Sequence, residues 1–257
     1  MLLRHRRHIV RYAPVLLVAF LVAPLRAREL VVSVAVSLHP AVQEIAASYR
    51  AEFPDIDVVL GTGASGVLLQ QVLRGAPADV FLSASPLELD RLDREGLLAG
   101  GTRRNVASNR LVVLLPPGAA TPRSLDELTL EGFGLIAVGN PATAPVGRYT
   151  RQALVALELA EHLDDRLVPG ESARQIVTWV QRGEVAAGLS YRTDAILFGD
   201  RVQLGPELPA ESHSPIIYQA AVLSGSDEPE AARRFVELLL SPPGRRVLEH
   251  HGFLPPP

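Results

Sequence analysis

The chain has 257 residues, 47% hydrophobic and 21% charged, which is enough apolar mass for one large or two medium folded units and shows no disorder signature. It contains no cysteine, which excludes disulfides, zinc–thiolate sites and cysteine nucleophiles. All 25 basic residues are arginine, set against 28 acids, and the net charge of −3 argues against a general nucleic-acid binder.

Residues 1–27 differ in kind from the rest. Arg4, Arg6, Arg7 and Arg11 make a basic start, residues 13–25 form an apolar run, and Ala27 supplies a small residue at its end. This is the layout of a secretory signal peptide, and the run is short for a membrane span. An uncleaved anchor fits less well, because Pro14 and Pro24 interrupt the segment. Without these residues, which hold five arginines and no acid, 20 arginines face 28 acids and the net charge is −8. An anion site in such a chain has to work locally, against an unfavourable overall field. The lack of cysteine also excludes a lipid-attachment site.

From Arg28 onward, residues 30–36 (LVVSVAV) form a β-branched run typical of a buried parallel strand. Ser37 follows, and Pro40 sits in the first turn of a helix whose inward stripe is Val42, Ile45, Ala46, Tyr49 and Phe53. Residues 56–60 (IDVVL) are the next strand. A glycine-rich turn at Gly61, Gly63 and Gly66 then leads into a helix over 65–73 and a strand over 80–83. Residues 86–98 predict a charged amphipathic helix with Leu87, Leu89, Leu92 and Leu97 or Leu98 inward. Further strands are expected at 110–115 and 133–138, with a short helix capped by Ser124 between them. Helices open at Pro145-Val146-Gly147 and at Ala173, a short strand over 186–190 ends in Tyr191, and 216–223 is a late strand. Residues 229–240 and 246–253 close the chain as helices, the last with a glycine stop at Gly252. Such alternation implies an α/β fold with mainly parallel sheets flanked by helices, and about 230 residues is large for a single sheet, so two lobes are expected.

Three kinds of chemistry are weighed on the residues. GTGASG at 61–66 matches the dinucleotide pattern G-x-G-x-x-G between a strand and a helix, but no acid ends the following strand, because Asp79 precedes it. Ser37 near His39, or Ser65 with His162, His213, His250 or His251, could suggest a secreted serine hydrolase; none sits in a G-x-S-x-G elbow. No His or carboxylate pair falls at ligand spacing with a third partner, so no cation site is expected. What recurs is a strand or loop ending in a small residue just before a helix start, at Ser37, Ser65, Val146-Gly147 and Ser172-Ala173. Helix capping alone would explain each serine. Four such junctions with Tyr191 at a strand end suit an anion cradle, since helix N-termini present unpaired N–H groups and a positive dipole end.

The order of these motifs resembles the periplasmic molybdate-binding proteins of ABC importers, within the two-lobed periplasmic binding protein fold. The matching pieces are Ser37-Leu38, GASG, GAPADVFLSA (75–84), SNRLVVL (108–114), AVGNP…APVGRYTRQAL (137–154), LVPGESARQ (167–175), VAAGLSYRTDA (185–195) and the terminal HGF. The resemblance implies a hinged cleft between lobe 1 (28–107 plus 216–257) and lobe 2 (108–215), following a 1–27 signal peptide. It implies that the oxyanion is held by the hydroxyls of Ser37, Ser65 and Tyr191 and by backbone N–H groups at Val146 and Ala173. Val146 stands where relatives commonly have alanine, Ala173 where they have valine, and His39, expected at the cleft rim, where threonine is frequent. The implied protein is periplasmic, monomeric and non-enzymatic, with no cofactor and no nucleic-acid partner. It takes molybdate or tungstate, with sulfate or another tetrahedral oxyanion as the alternative ligand, and delivers it to the membrane permease.

Overall fold

The computed structural model describes residues 28–257; the expected signal peptide lies outside them. The chain opens with β1 (Arg28–Ala35), α1 (His39–Glu52), β2 (Ile56–Gly63), α2 (Ser65–Leu73), β3 (Val80–Ser83), α3 (Pro86–Arg94) and β4 (Arg104–Ser108). It continues through β5 (Leu111–Leu115), β6 (Ile136–Gly139), α4 (Pro145–Ala156), α5 (Ala160–Leu163), β7 (Leu167–Gly170), α6 (Ala173–Gln181), β8 (Ala187–Tyr191), α7 (Arg192–Phe198) and β9 (Gln203–Glu207). It ends with β10 (Ile217–Val222), α8 (Pro229–Leu240) and α9 (Pro242–His250).

Two five-stranded sheets result, ordered β2-β1-β3-β10-β4 and β7-β6-β8-β5-β9. Each is mixed, with one strand running against four: β10 in the first sheet, β5 in the second. Each reversed strand is the first the chain lays down after passing from one sheet to the other. These are the two flanked lobes that the α/β alternation leads one to expect.

The central strand β1 is buried on both faces, as a β-branched run requires: Leu30, Val32, Ser33, Val34 and Ala35 are all buried. On α1, Ala41, Val42, Ile45, Ala46 and Tyr49 turn inward, and the Tyr49 hydroxyl donates to the Ala231 carbonyl of α8 at 3.0 Å. Asp79 ties the start of β3 to its surroundings. Its carboxylate accepts from the Val31 N–H at 2.7 Å, the Ser226 hydroxyl at 2.6 Å and the Asp227 N–H at 3.1 Å.

Several expectations are corrected here. The glycine stretch is not a turn: β2 pairs with β1 through Gly63, and Thr62 points into solvent. On α3 Leu89 and Leu92 turn inward as expected, but the third inward residue is Glu88, not Leu87, which is 56% exposed. The last helix begins at Pro242, four residues ahead of the expected start, because Ser241 caps it by accepting from the Gly244 N–H. β6 starts at Ile136, not at Phe133. The strands β4, β7 and β9 and the helix α7 carried no clear periodic signal; β7 and β9 are the edges of the second sheet.

Candidate functional site

Ser37, Ser65, Val146, Ala173 and Tyr191 line one small cavity between the two lobes. Its other walls are Ala35, Val36, Gly63, Ala64, Ala84, Ala144 and Pro145, so five alanines and no charged side chain face the interior. Ser37 follows β1 and Ser65 opens α2, both in the first lobe. Val146 and Ala173 lie in the first turns of α4 and α6, and Tyr191 ends β8, all in the second.

The two serines are not helix caps. Leu38 occupies the cap position before α1 and Ala64 that before α2, and neither forms a side-chain cap bond. Of the junction serines, only Ser172 caps its helix, accepting from the Gln175 N–H. Ser37 Oγ instead accepts from the Tyr218 hydroxyl at 3.2 Å, and Ser65 Oγ from the Ala84 N–H at 3.1 Å. A hydroxyl whose oxygen already accepts has its own proton left to give. Neither serine bonds a histidine, which is what a nucleophile–base pair would need.

Tyr191 is buried and its hydroxyl has no partner among the described residues, an arrangement that costs free energy unless a ligand supplies one. Burial, then the neighbouring Tyr218 and Tyr149, push its pKa well above the ordinary tyrosine value. It therefore stays protonated, a donor. The N–H groups of the first turns of α4 and α6 have no acceptor within their own helices. The lining thus brings three hydroxyls together with the N-terminal ends of α4 and α6, whose dipoles add positive potential in place of a cation.

Glycines let α4 and the lobes come close. A Cβ on Gly147 would stand 2.2 Å from the Gly139 carbonyl oxygen, so only glycine lets α4 begin tight against the end of β6. A Cβ on Gly66 would stand 2.5 Å from the carbonyl oxygen of Thr143 in the other lobe, to which the Gly66 N–H donates at 3.0 Å. Beside this contact, buried Glu88 of the first lobe accepts from Ser83 and pairs with Arg148 of the second. These contacts between lobes were not foreseen; an acid at the inward position of a helix is the signal that points to them. His39 is half-buried just outside the cavity, and its pKa is held below the usual value by desolvation and then by the Arg174 charge. The dinucleotide reading fails on Asp79, whose carboxylate is consumed by internal donors. No group of three His, Asp or Glu able to hold a metal ion occurs among the described residues, and no helix among them is long and apolar enough to cross a membrane.

Comparison with known proteins agrees with this architecture. The chain matches the family profile described as bacterial extracellular solute-binding protein over residues 30–254. The molybdate-binding protein ModA of Haemophilus influenzae is 33% identical over 224 residues, 85% of this chain and 87% of the relative. The periplasmic molybdate-binding protein of Azotobacter vinelandii superposes with a TM-score of 0.80 at 26% identity, covering 89% of this chain and all of the other. A sulfate-binding protein of Mycobacterium tuberculosis, SubI, shares the fold with a TM-score of 0.78 at 16% identity, covering 89% and 87%. With a profile match spanning nearly all the described residues, the chain belongs to the bacterial extracellular solute-binding protein family.

Proposed function

We propose that this protein captures molybdate, and tungstate with it, in the cavity between its lobes, and hands it to the membrane permease of an ABC importer without chemical turnover. The observation that carries this reading is the cavity itself, lined from both lobes with hydroxyls and helix starts, without a charged or acceptor-only side chain, and with an unpartnered buried tyrosine hydroxyl; in it Ser37, Ser65, Tyr191 and the N–H groups of Val146 and Ala173 are the proposed donors. A dehydrated dianion is costly to bury, and a shell of charge-assisted hydrogen bonds replaces its lost water. A site of donors alone also disfavours a protonated oxyanion, whose proton would meet another donor. Molybdate and tungstate are fully ionised near neutral pH, whereas phosphate retains a proton. The 33% identity to a ModA protein supports the same ligand.

In this reading residues 28–107 with 216–257 form one closing unit and 108–215 the other, and the ligand shifts the population toward the closed form. The protein works as a monomer in the periplasm, delivered there by residues 1–27, and needs no cofactor. Titration calorimetry with molybdate, tungstate, sulfate and phosphate tests the assignment. Single-site binding of molybdate and tungstate, well ahead of sulfate and phosphate, is expected. Tighter binding of sulfate would replace the ligand with that oxyanion, the second reading that the shared fold with SubI keeps in view.

A further inference from the structure

Behind Ser37 lies a chain of polar groups that no contact with the cavity explains. Asn109, in the passage between β4 and β5, is 7% exposed, and its side chain is fully engaged. Its Oδ1 accepts from the Arg110 N–H at 2.9 Å, while its Nδ2 donates to Thr193 Oγ1 at 2.9 Å and to Tyr218 Oη at 3.1 Å. The first of these bonds sets the amide orientation, because a rotated amide would set its NH₂ against a backbone donor. Tyr218 Oη, having accepted from Asn109, lies 3.2 Å from Ser37 Oγ. Its ring is wedged edge-on against Phe253 at 5.2 Å between centroids, with Tyr191 on another side at 6.0 Å, so the phenol oxygen cannot swing away. A phenol is a better donor and a poorer acceptor than an alkyl alcohol, so the proton of this pair sits on Tyr218 and points at Ser37.

We propose that Asn109 and Tyr218 form a one-way hydrogen-bond relay that leaves the Ser37 proton free to point into the cavity, and so are positioning residues for the anion. The inference rests on the oxyanion reading above and adds to it the source of directionality at one of its hydroxyls. Asn109 can only donate along this path, Tyr218 passes the direction on, and Ser37 has its acceptor side occupied before any ligand arrives. The site thus avoids the cost of turning a hydroxyl as the ligand binds, and meets the anion with the Ser37 proton rather than with a lone pair. Ser65 reaches the same polarity by a shorter route, from the Ala84 N–H.

The test is a double-mutant cycle read by molybdate titration on the full mature chain, with sodium phosphate as the protonated comparison anion. Tyr218→Phe keeps the ring and removes the relay proton, and should weaken molybdate binding roughly tenfold. It should also narrow the preference for molybdate over phosphate, since the Ser37 proton is then free to turn toward Tyr218's place and leave a lone pair facing the cavity. In a Ser37→Ala background the same substitution should cost almost nothing more. Asn109→Asp reverses the polarity at the head of the relay, because a carboxylate accepts the Tyr218 proton; it should repeat the loss and serves as the second variant if Tyr218→Phe is poorly folded. Unchanged affinity and preference in Tyr218→Phe overturn the relay, as does an equal loss with and without Ser37, which would mark Tyr218 as structural packing. A wild-type protein that binds no molybdate overturns the ligand assignment instead, so the two failures are distinct.

Discussion

Tyr191 is the residue at which stability and function part company. Its hydroxyl is buried and unpartnered among the described residues, so in the empty protein it is a cost. Tyr191→Phe should therefore leave the unliganded chain as stable as before, or more stable by up to about 1 kcal/mol, while weakening molybdate binding by roughly tenfold. Thermal unfolding with and without molybdate separates the two effects. A variant that loses stability and keeps its affinity would take Tyr191 out of the ligand shell. Sequence reasoning reached this tyrosine through family resemblance and its place at the end of a strand. It could not reach Tyr218 or Asn109, because their roles depend on hydrogen bonds between residues 109 and 181 positions apart in the chain.

At the level of elements, what the residues reveal depends on how much of each is buried. The central strands β1 and β3 and the helices α1, α2 and α8 fall close to their expected limits, because the strands are continuous buried apolar runs and the helices repeat their inward residues with the helical period. The strands β7 and β9 escape notice because they are edges, partly exposed, and each includes a proline that reads as a break. The glycine stretch departs from the expected turn for a related reason. Gly66 is required not by a turn or by the ligand but by the neighbouring lobe, whose Thr143 carbonyl it meets. Gly66→Ala would force that contact apart while leaving α2 free to form, so each lobe should fold and full closure should fail. Small-angle scattering is expected to show that the variant stays extended on adding molybdate, with affinity lowered at least tenfold. Normal contraction would show that the lobes tolerate the extra methyl group.

Across the whole molecule, the ion pair of Glu88 with Arg148 joins the lobes only when they meet. Glu88 is 3% exposed, so in the separated state it must be hydrated again, and the pair acts on the lifetime of the closed form. Glu88→Gln keeps the shape and the bond to Ser83 but removes the charge. Molybdate should dissociate roughly fivefold faster from this variant with its association rate little changed. Stopped-flow measurement decides the matter, and an unaltered dissociation rate would reduce the pair to a surface contact. The broad plan of two lobes was visible in the alternation of strands and helices. The contacts that hold the lobes together were not, since they join residues about 60 and 77 positions apart, such as Glu88 with Arg148 and Gly66 with Thr143.

The five alanines around the cavity have a consequence for how such a site can change over evolutionary time. Side chains that end at Cβ cannot be trimmed usefully, and almost any replacement adds bulk, so a binding site of this make has few mutational steps toward a larger guest. Its internal radius is a property of main-chain spacing. A lineage or an engineer seeking a different ion would make headway at the seam between Gly66 and Thr143, resetting how far the walls approach, and leave the lining itself almost untouched.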